Sequence, residues 1–304
     1  DTIETAGFMN ILFSDKTGTI TEGTLSVVEM LDGDGNIMPN IKDMKTPIKA
    51  EVINGIGLNN GSFVSEGKAI GSNSTDRALM EHLIANECVS FNTEDITSKK
   101  EFSSATKFAS VSTKHGFTYI KGAPEYLIND KCKYYIDKDG ETKEFTSTAR
   151  KQLDDKMLEQ ANRAMRLLAV MRHDTNTPDE LTLIAIICIR DNVRHGISNT
   201  VDVMNNAGIQ VTMVTGDRKE TAIAIAKEAH IIKSDDDIAL THAELANMSD
   251  DEVKNILPRL KVVSRALPMD KKRLVNIAQE EKLVCGMTGD GVNDAPALKA
   301  ADVG

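Results

Sequence analysis

Hydrophobic residues from about residue 181 onward fall in short continuous runs separated by stretches of helical periodicity. The runs have the length of buried strands and read LTLIAIICI (181–189), IQVTMV (209–214), KVVS (261–264) and KLVCGM (282–287). The stretches between them read ISNTVDVMNNAG, RKETAIAIAKEAH and PMDKKRLVNIAQEE, the last with Pro268 in its first turn. Strands that alternate with helices predict a parallel sheet with crossover helices.

The pattern between residues 25 and 190 is different. It contains two turn-forming sequences, DGDGN and DKDG, and a β-rich run, KFASVSTKHGFTYIKG. Helical patterns are seen in TDRALMEHLIAN and over about 149–168. We therefore predict that residues 25–190 form an α+β domain. It is inserted into an α/β domain with a doubly wound parallel sheet, formed by residues 1–24 and 191–304, because insertion is tolerated where the ends of a module lie close together.

Length and composition limit the class of protein. A chain of 304 residues is long enough for two domains with separate cores. Its net charge of −10 argues against nucleic acid as a partner, because phosphate backbones are bound by clustered Lys and Arg. The four scattered cysteines favour a reducing, cytosolic setting, and no apolar run approaches the ~20 residues that span a bilayer. Because the chain starts without Met and stops where another strand could begin, we expect it to be part of a longer protein.

Two segments resemble ligand-binding motifs but depart from them at essential positions. GSFVSEGK (61–68) has five residues between its glycines instead of four, and Ala69 follows its lysine where a P-loop needs Ser or Thr. DGDGNI (32–37) begins like an EF-hand loop, yet Ile37 stands where that loop requires glycine and Asp43 where it requires glutamate. We interpret the first as an ordinary segment and the second as a hairpin turn.

Segments rich in acidic and small residues follow the predicted strands. They read SDKTGT (14–19), RDNVR (190–194), VTGDR (214–218) and TGDGVNDAPALK (288–299). One such segment could be an ordinary turn, but a parallel sheet brings the carboxyl ends of its strands to one edge, where its active sites lie. Several carboxylates at one point repel each other unless a cation lies among them, and oxygen ligands next to a phosphate favour Mg²⁺.

The residue types in these segments are those of a phosphoryl-transfer site. Asp15 and Asp290 are the candidate Mg²⁺ ligands, and an ionised Asp15 is the candidate nucleophile. Thr215 and Gly216 offer a hydroxyl and an amide to the transferred oxygens. Lys271, in the helix predicted after SRALPMD, is placed in sequence to reach back and stabilise the developing charge.

Four motifs resemble those of the P-type cation-transporting ATPases of the calcium-pump-like class. They are SDKTGT, KGAPE (121–125), TGD (215–217) and TGDGVNDAPALK, and the resemblance covers essentially the whole chain in the family's order. It implies a Rossmann-like phosphorylation domain of the haloacid-dehalogenase-like superfamily, with an inserted nucleotide-binding domain. ATP is then the substrate and Mg²⁺ the cofactor. The implied partners are the actuator and transmembrane domains of the same full-length chain, at the cytoplasmic face of a membrane, while the fragment itself is expected to be soluble and monomeric.

The resemblance implies a role for each matching residue of the phosphate site. Asp15 is the residue that ATP phosphorylates. Thr17 contacts the phosphoryl group and gives its carbonyl to Mg²⁺, and Asp290 is the second protein ligand of the ion. Further residues that hold or support the phosphate are Thr215, Gly216, Lys271, Asn293 and Asp294.

The resemblance also implies nucleotide contacts. Phe102 matches the phenylalanine that stacks on adenine, Lys121 and Gly122 match residues that line the adenine pocket, and Arg166 matches one that closes over the nucleotide. The full implied set is Asp76, Phe102, Lys107, Lys121, Gly122, Arg166, Leu168, Asp191, Arg194, Asp217 and Arg265. By residue type alone, Phe102 could instead be a core residue, Lys121 a surface lysine, and Arg166 a surface residue of a helix.

Three positions depart from the family pattern. The hinge motif DPxR reads DNVR at 191–194, so its proline is lost while both charged residues remain. Ser104 stands where many calcium pumps of this type have arginine, and Asp76 stands where glutamate is commoner. We therefore expect a less rigid hinge and one fewer contact to the nucleotide phosphates.

The residue two places after Asp15 separates two kinds of enzyme in this superfamily. Soluble phosphatases carry a second aspartate there as general acid and base, whereas this chain has Thr17, whose hydroxyl has no proton-transfer pKa near neutrality. A pump benefits from the missing base, because its aspartyl-phosphate must outlast a conformational change. We therefore favour an ATP-driven cation pump, with the soluble phosphatase as the alternative. A nucleotide-binding module without chemistry is disfavoured by the presence of Asp15, Lys271 and Asp290.

Overall fold

A computed structural model describes residues 2–103, 105–289 and 294–304. The chain divides into two compact units, the first made of Asp1–Thr24, Asn162–Ala164 and Asp191–Gly304, the second of Leu25–Ala161 and Met165–Arg190. Three residues of the sequence predictions, Ser104, Asp290 and Asn293, lie outside the described residues. The assignment of a phosphorylation role to one unit and a nucleotide-binding role to the other stays a prediction.

Both units contain strands and helices. The strands are β1 (Ile11–Asp15), β2 (Thr21–Leu31), β3 (Phe63–Ser65), β4 (Lys68–Ile70), β5 (Ile96–Lys100), β6 (Phe108–Thr113), β7 (Phe117–Gly122), β8 (Cys132–Ile136), β9 (Thr142–Glu144), β10 (Arg166–Asp174), β11 (Leu181–Val193), β12 (Gln210–Val214), β13 (Ile238–Thr241), β14 (Leu260–Ser264) and β15 (Cys285–Met287). The helices are α1 (Thr2–Ala6), α2 (Ile48–Gly57), α3 (Ser74–Ala85), α4 (Pro124–Leu127), α5 (Ser147–Asn162), α6 (Ile197–Asn206), α7 (Lys219–Glu228), α8 (His242–Ala246), α9 (Asp250–Ile256), α10 (Pro268–Glu280) and α11 (Ala295–Ala300). In the part of the chain that the structure describes, no helix is long and apolar enough to cross a membrane.

The first unit contains a five-stranded parallel sheet in the order β13-β14-β12-β1-β15. Its strands bury side chains on both faces, because Met213 belongs to a hydrophobic cluster with α6 and α7 whereas Val214 belongs to one with α8–α11. This arrangement confirms the predicted doubly wound α/β sheet, since helices cover a parallel sheet on both sides. Because β1 lies between β12 and β15 and runs parallel to both, its carboxyl end lies beside theirs.

Local signals account for where the helices on this sheet begin. Pro268 lies in the first turn of α10, where its missing N–H costs no hydrogen bond. The hydroxyl of Ser249 accepts a hydrogen bond from the N–H of Glu252, whose carboxylate in turn accepts one from the N–H of Ser249. This reciprocal pair caps the start of α9.

The second unit contains a larger mixed sheet in the order β5-β6-β7-β10-β11-β8-β9, with β2 also paired to β11. Most neighbours are antiparallel, whereas β8 runs parallel to β11. One face packs against a hydrophobic cluster that includes residues of α2 and α3, and the other face against a cluster that includes residues of α5. The strands β3 and β4 form a separate hairpin.

The predicted helix over 149–168 is wrong at its end. The helix α5 stops at Asn162, Ala164 adopts a left-handed backbone with φ of 64°, and β10 begins at Arg166. From there the side chains alternate between the two faces of the mixed sheet, with Leu168 and Val170 against one cluster. The apolar residues of this strand therefore follow the two-residue period of a sheet, although their composition is also compatible with a helix.

The prediction that LTLIAIICI is a strand of the parallel sheet is also wrong. The run belongs to β11, which lies inside the mixed sheet and pairs antiparallel with β10. All nine residues are buried, since Ile184 and Ile187 pack against one cluster while Leu183 and Ile186 pack against the other. Burial on both faces produces a continuous apolar run in an antiparallel strand just as it does in a parallel one.

The helix α5 offers a direct test of this packing, because two of its leucines differ sharply in exposure. Leu153 is 0% exposed and Leu158 is 62% exposed. We expect Leu153→Ala to lower the free energy of unfolding by about 2–5 kcal/mol, because it leaves a cavity in the core of the second unit. The same change at Leu158 should shift it by no more than about 0.5 kcal/mol. Urea unfolding followed by circular dichroism measures both, and equal effects would contradict the placement of α5.

Candidate active site

The carboxylate of Asp15 lies at the end of β1, an interior strand of the parallel sheet between β12 and β15. Its Oδ1 accepts a hydrogen bond from Nζ of Lys271 at 3.0 Å. The backbone N–H of Asp15 donates to the hydroxyl of Thr288 at 3.0 Å, and the N–H of Thr288 donates to the carbonyl of Phe13. The end of β1 is therefore joined to the loop that follows β15.

The ammonium group of Lys271 lies between two carboxylates. Besides Asp15, it contacts Oδ1 of Asp294 at 2.8 Å, and all three side chains are largely buried. Burial alone would lower the pKa of Lys271, but the hydrogen bonds to Asp294 and Asp15 outweigh burial and raise it above its ordinary value. Lys271 is therefore charged at neutral pH and can neutralise charge that develops next to Asp15.

The loop after β12 carries Thr215, Gly216 and Asp217 to the same edge of the sheet. The buried Thr215 accepts a hydrogen bond through its carbonyl from the N–H of Ala266, and its hydroxyl accepts one from the N–H of Asp217. The carbonyl of Asp217 accepts from the N–H of Arg265 at 2.9 Å, so this loop and the one after β14 hold each other. Apart from its chain neighbours, no described residue has an atom within 4 Å of the place where a Cβ on Gly216 would stand.

Thr17 lies in the exposed turn between β1 and β2. The turn depends on two glycines, because Gly18 and Gly23 both have positive φ and a Cβ on Gly23 would lie 3.2 Å from the Cα of Gly18. The charged residues predicted for the hinge hold this turn. Asp191 accepts hydrogen bonds from the hydroxyl of Thr21 at 2.5 Å and the N–H of Gly23 at 2.8 Å. Arg194 donates to the carbonyls of Gly18 at 2.6 Å and Thr21 at 3.0 Å.

The predicted segment RDNVR does not follow a strand of the parallel sheet, contrary to the expectation for it. It forms the end of β11, which lies outside that sheet. Asp191 and Arg194 nevertheless reach the turn after Asp15 by the hydrogen bonds just described. Their contacts among the described residues are structural, and a direct role in nucleotide binding stays a prediction.

Two residues of this site were not singled out in the sequence. Lys16 is buried, and its Nζ lies 3.1 Å from Asp217 and 3.6 Å from Asp191. Thr288 links the ends of β1 and β15. Both lie inside motifs that were recognised, Lys16 beside Asp15 and Thr288 at the head of TGDGVNDAPALK. Their place in those motifs was the available signal.

In the second unit, the predicted nucleotide residues Asp76 and Lys121 form an ion pair. Nζ of Lys121 lies 2.5 Å from Oδ1 of Asp76 and also contacts the carbonyl of Asn59. Oδ2 of Asp76 accepts a hydrogen bond from the N–H of Gly61 at 2.8 Å. Lys121 is only 6% exposed, and burial lowers its pKa, so the alternative reading as a surface lysine is wrong.

Arg166 lies near this pair and on a strand, so its predicted helical setting is wrong. It begins β10, and its guanidinium donates to the hydroxyl of Thr75 at 3.2 Å, one residue before Asp76. Leu168, two residues along the strand, is partly buried against the cluster that includes α2 and α3. The structure therefore brings Arg166 and Asp76 to the start of α3.

Phe102 and its neighbours lie in the loop between β5 and β6. Phe102 is 55% exposed, which excludes the alternative of an ordinary core residue. Lys107 ends this loop with φ of 62°, and a Cβ on Gly122 would lie 2.5 Å from the carbonyl oxygen of Lys107. Glycine is therefore required at position 122 by the close approach of two strands. Its predicted place in the adenine pocket stays a prediction.

The donor set at Asp15 has the chemistry that Mg²⁺ requires, although part of it lies outside the described residues. Within those residues no cluster of three or more His, Cys, Asp or Glu side chains is suited to a metal ion. Mg²⁺ is commonly held by one or two carboxylates, with waters and substrate phosphate oxygens completing its shell. The carboxylate of Asp15 and the carbonyl of Thr17 fit that pattern, and Asp290 would be the second carboxylate.

Comparison with known proteins identifies relatives over nearly the whole chain. The haloacid dehalogenase-like hydrolase family matches residues 9–302. The calcium-transporting ATPase 1 of Lactococcus lactis is 31% identical over 322 residues, which cover 99% of this chain and 36% of that protein. The plasma membrane-type calcium-transporting ATPase 1 of Oryza sativa is 32% identical, with 99% of this chain and 31% of that protein covered.

A further relative comes from yeast. The calcium-transporting ATPase 1 of Saccharomyces cerevisiae is 29% identical, with 99% of this chain and 35% of that protein covered. The chain thus spans about a third of the length of these relatives. Because the family match spans residues 9–302, the chain belongs to the haloacid dehalogenase-like hydrolases, and it is similar throughout to calcium-transporting P-type ATPases.

Proposed function

We propose that this chain binds ATP and transfers its γ-phosphate to Asp15, as the catalytic part of an ATP-driven cation pump. The observation that carries the proposal is the position of Lys271, whose Nζ lies 3.0 Å from Asp15 and 2.8 Å from Asp294. A buried lysine that neutralises a strand-end carboxylate suits a site where phosphoryl charge arrives. The relatives named as calcium-transporting ATPases support the same activity.

The proposed reaction is an in-line displacement at phosphorus. A carboxylate oxygen of Asp15 forms the new bond to the γ-phosphorus, while the bond from that phosphorus to the bridging oxygen breaks and ADP leaves with the electron pair. Lys271, the hydroxyl of Thr215 and the N–H of Gly216 stabilise the phosphoryl oxygens. Asp294 keeps Lys271 in place, and Lys16 ties the Asp217 loop to the turn after Asp15 through Asp191.

Mg²⁺ would be held by Asp15, the carbonyl of Thr17 and Asp290. When bound it neutralises charge on the transferred phosphoryl group. Among the described residues, Oδ2 of Asp15 makes no hydrogen bond, which leaves an oxygen of this carboxylate available. Asn293, from the same motif as Asp290, would support the phosphate.

ATP itself would be bound largely by residues of the second unit. The exposed ring of Phe102 offers a stacking surface for adenine, and Lys107, Gly122 and Leu168 would complete that pocket. The buried pair of Asp76 and Lys121 would form its polar floor, with Arg166 at its edge. For Asp217 and Arg265, the resemblance to the pump family supports contacts to the ribose and phosphates.

The soluble phosphatase is the second candidate, since its superfamily includes this fold. Such an enzyme needs a general base two residues after its nucleophile, and Thr17 occupies that position. Loss of a general base typically costs about 10²–10⁴-fold in rate, so an aspartyl-phosphate here would persist. A persistent intermediate suits a pump, in which the actuator domain supplies the hydrolytic group.

The whole protein would be an integral membrane pump with this chain at its cytoplasmic face. Its actuator and transmembrane domains would be partners in the same polypeptide, and Ca²⁺ is the ion that the relatives favour. Energy stored in the aspartyl-phosphate would drive ion transport in that full-length protein.

Adjacent lysines in α10 test the role of Lys271. Lys271 is buried between carboxylates, whereas Lys272 is exposed. We expect Lys271→Ala to lower the rate of phosphoenzyme formation from radiolabelled ATP by about 10²–10³-fold, because a positioned charge is lost and two carboxylates are left unpaired. Lys272→Ala should leave that rate unchanged. Equal rates in the two variants would refute the role of Lys271.

Substitution at Thr17 tests why the intermediate should persist. We expect Thr17→Asp to speed the loss of phosphate from the phosphoenzyme by about 10²-fold, because it supplies a general base beside Asp15. Thr17→Asn matches the size of the new side chain but supplies no base, so its phosphoenzyme should decay no faster than that of the wild type. Decay is followed after a chase with unlabelled ATP, and equal decay of both variants would count against a missing base.

Two exposed phenylalanines of the second unit test the adenine platform. Phe102 is 55% and Phe63 is 60% exposed. Phe102→Ala should weaken ATP binding by about 5–150-fold, because stacking of a base on an aromatic ring is worth about 1–3 kcal/mol. Phe63→Ala should leave the affinity unchanged. Isothermal titration calorimetry measures both, and phosphorylation by acetyl phosphate, which has no base, should be equal in all three proteins. Unaltered ATP affinity in Phe102→Ala would exclude the platform.

A further inference from the structure

We infer that His242 is a positioning residue for Lys271, acting through Asp270. His242 is the first residue of α8, and its Nδ1 lies 2.8 Å from Oδ2 of Asp270. Asp270 immediately precedes Lys271 in the first turn of α10. The inference rests on the proposed role of Lys271 in phosphoryl transfer and assigns a distinct part of that role to a residue outside every recognised motif.

The direction of this hydrogen bond follows from the chemistry of its partners. An ionised carboxylate can only accept hydrogen bonds, so the proton must be on Nδ1 of His242. The same oxygen of Asp270 also accepts the backbone N–H of Leu267 at 2.7 Å. Asp270 is 4% exposed, and a carboxylate buried to this extent needs its donors. Within the described part of the chain, His242 therefore supplies one of the two hydrogen bonds that Oδ2 of Asp270 accepts.

Oδ2 of Asp270 accepts the last of three hydrogen bonds from consecutive backbone amides between β14 and α10. The N–H of Arg265 donates to the carbonyl of Asp217, and the N–H of Ala266 donates to the carbonyl of Thr215, each at 2.9 Å. The next N–H, that of Leu267, donates to Asp270. Three consecutive amides thus fix the path of the chain into α10. The first two bind the loop of the phosphate site, and the third binds the carboxylate that His242 holds.

The position of Lys271 follows directly from this anchor. Lys271 is the next residue after Asp270, and its Nζ must meet Asp15 at 3.0 Å and Asp294 at 2.8 Å. A shift of the first turn of α10 would move the ammonium group relative to both carboxylates. Misplacement of a catalytic group by about 1 Å can cost about 10²-fold in rate, even when the substitution lies away from the chemistry.

Three substitutions at position 242 separate positioning from mere packing. Asparagine carries an amide N–H close to the place of Nδ1, glutamine carries it one bond further out, where Nε2 lies, and alanine carries none. We expect His242→Ala and His242→Gln to lower the rate of phosphoenzyme formation at saturating ATP by about 10²-fold. His242→Asn should retain most of the wild-type rate. The ATP concentration for half-maximal rate should be unchanged in all three, because no nucleotide contact is removed.

A second His–Asp pair in the same unit provides the control. Nδ1 of His230 lies 2.8 Å from Oδ2 of Asp202, the same separation as in the His242 pair, but Asp202 lies on α6, which carries none of the site residues. Asp202→Ala should break this pair and leave the rate unchanged. Thermal unfolding of every variant, measured in parallel, shows whether it is folded at the assay temperature.

The outcomes distinguish this inference from the proposed function. The 304-residue chain is first assayed with radiolabelled ATP and Mg²⁺, and absence of label in the wild type would refute the proposed function itself. If the wild type is labelled, equal rates for His242→Asn and His242→Gln would overturn the positioning role. A change confined to the half-maximal ATP concentration would overturn it as well, because the residue would then act on nucleotide binding. Slow Gln and Ala variants beside a fast Asn variant would establish it.

Discussion

The ammonium group of Lys271, held between the carboxylates of Asp15 and Asp294, is the interaction on which the candidate site depends. These three charged side chains are largely buried, and each would be costly to bury alone. Together their opposite charges offset the cost of burying each one. One oxygen of Asp15 then accepts a hydrogen bond from Lys271. Asp15 ends β1, Lys271 lies in the first turn of α10, and Asp294 directly precedes α11. The parallel sheet brings the end of this strand and the starts of these two helices together at one edge. The site is therefore a consequence of the topology as much as of the residues.

The loops around this triad are held mainly by hydrogen bonds to backbone groups. Asp191 and Arg194 bind the turn after Asp15, Thr288 binds the N–H of Asp15, and the carbonyls of Thr215 and Asp217 bind the chain that enters α10. Such hydrogen bonds preorganise a site, because they fix its loops to one another and to the end of β1. The loss of proline from the DNVR segment therefore has less effect on the rigidity of this turn than the sequence suggested. Its two charged residues act through hydrogen bonds that a proline would not provide.

The sequence predicted the parts of this protein that depend on local pattern. The parallel strands, the helices between them and the pairing of Asp15 with Lys271 follow from periodicity and from motifs at strand ends. Errors arose where tertiary packing decides. The run at 181–189 is apolar because both faces of the mixed sheet are covered, and this pattern does not distinguish a parallel from an antiparallel strand. Residues 166–168 have a composition compatible with a helix, yet they pair with β11 once Ala164 has ended α5. The pair of His242 and Asp270 could not be predicted, because no sequence pattern links the two residues and only the folded sheet brings them together.

The most direct measurement of the central claim is chemical identification of the phosphorylated residue. The chain is incubated with ATP and Mg²⁺, and the acyl phosphate is then reduced with sodium borohydride, which converts a phosphorylated aspartate to homoserine. Peptide mass spectrometry locates that conversion. The account predicts homoserine at position 15 and loss of the signal when either ATP or Mg²⁺ is omitted. Conversion at any other aspartate, or no conversion at position 15, would contradict it.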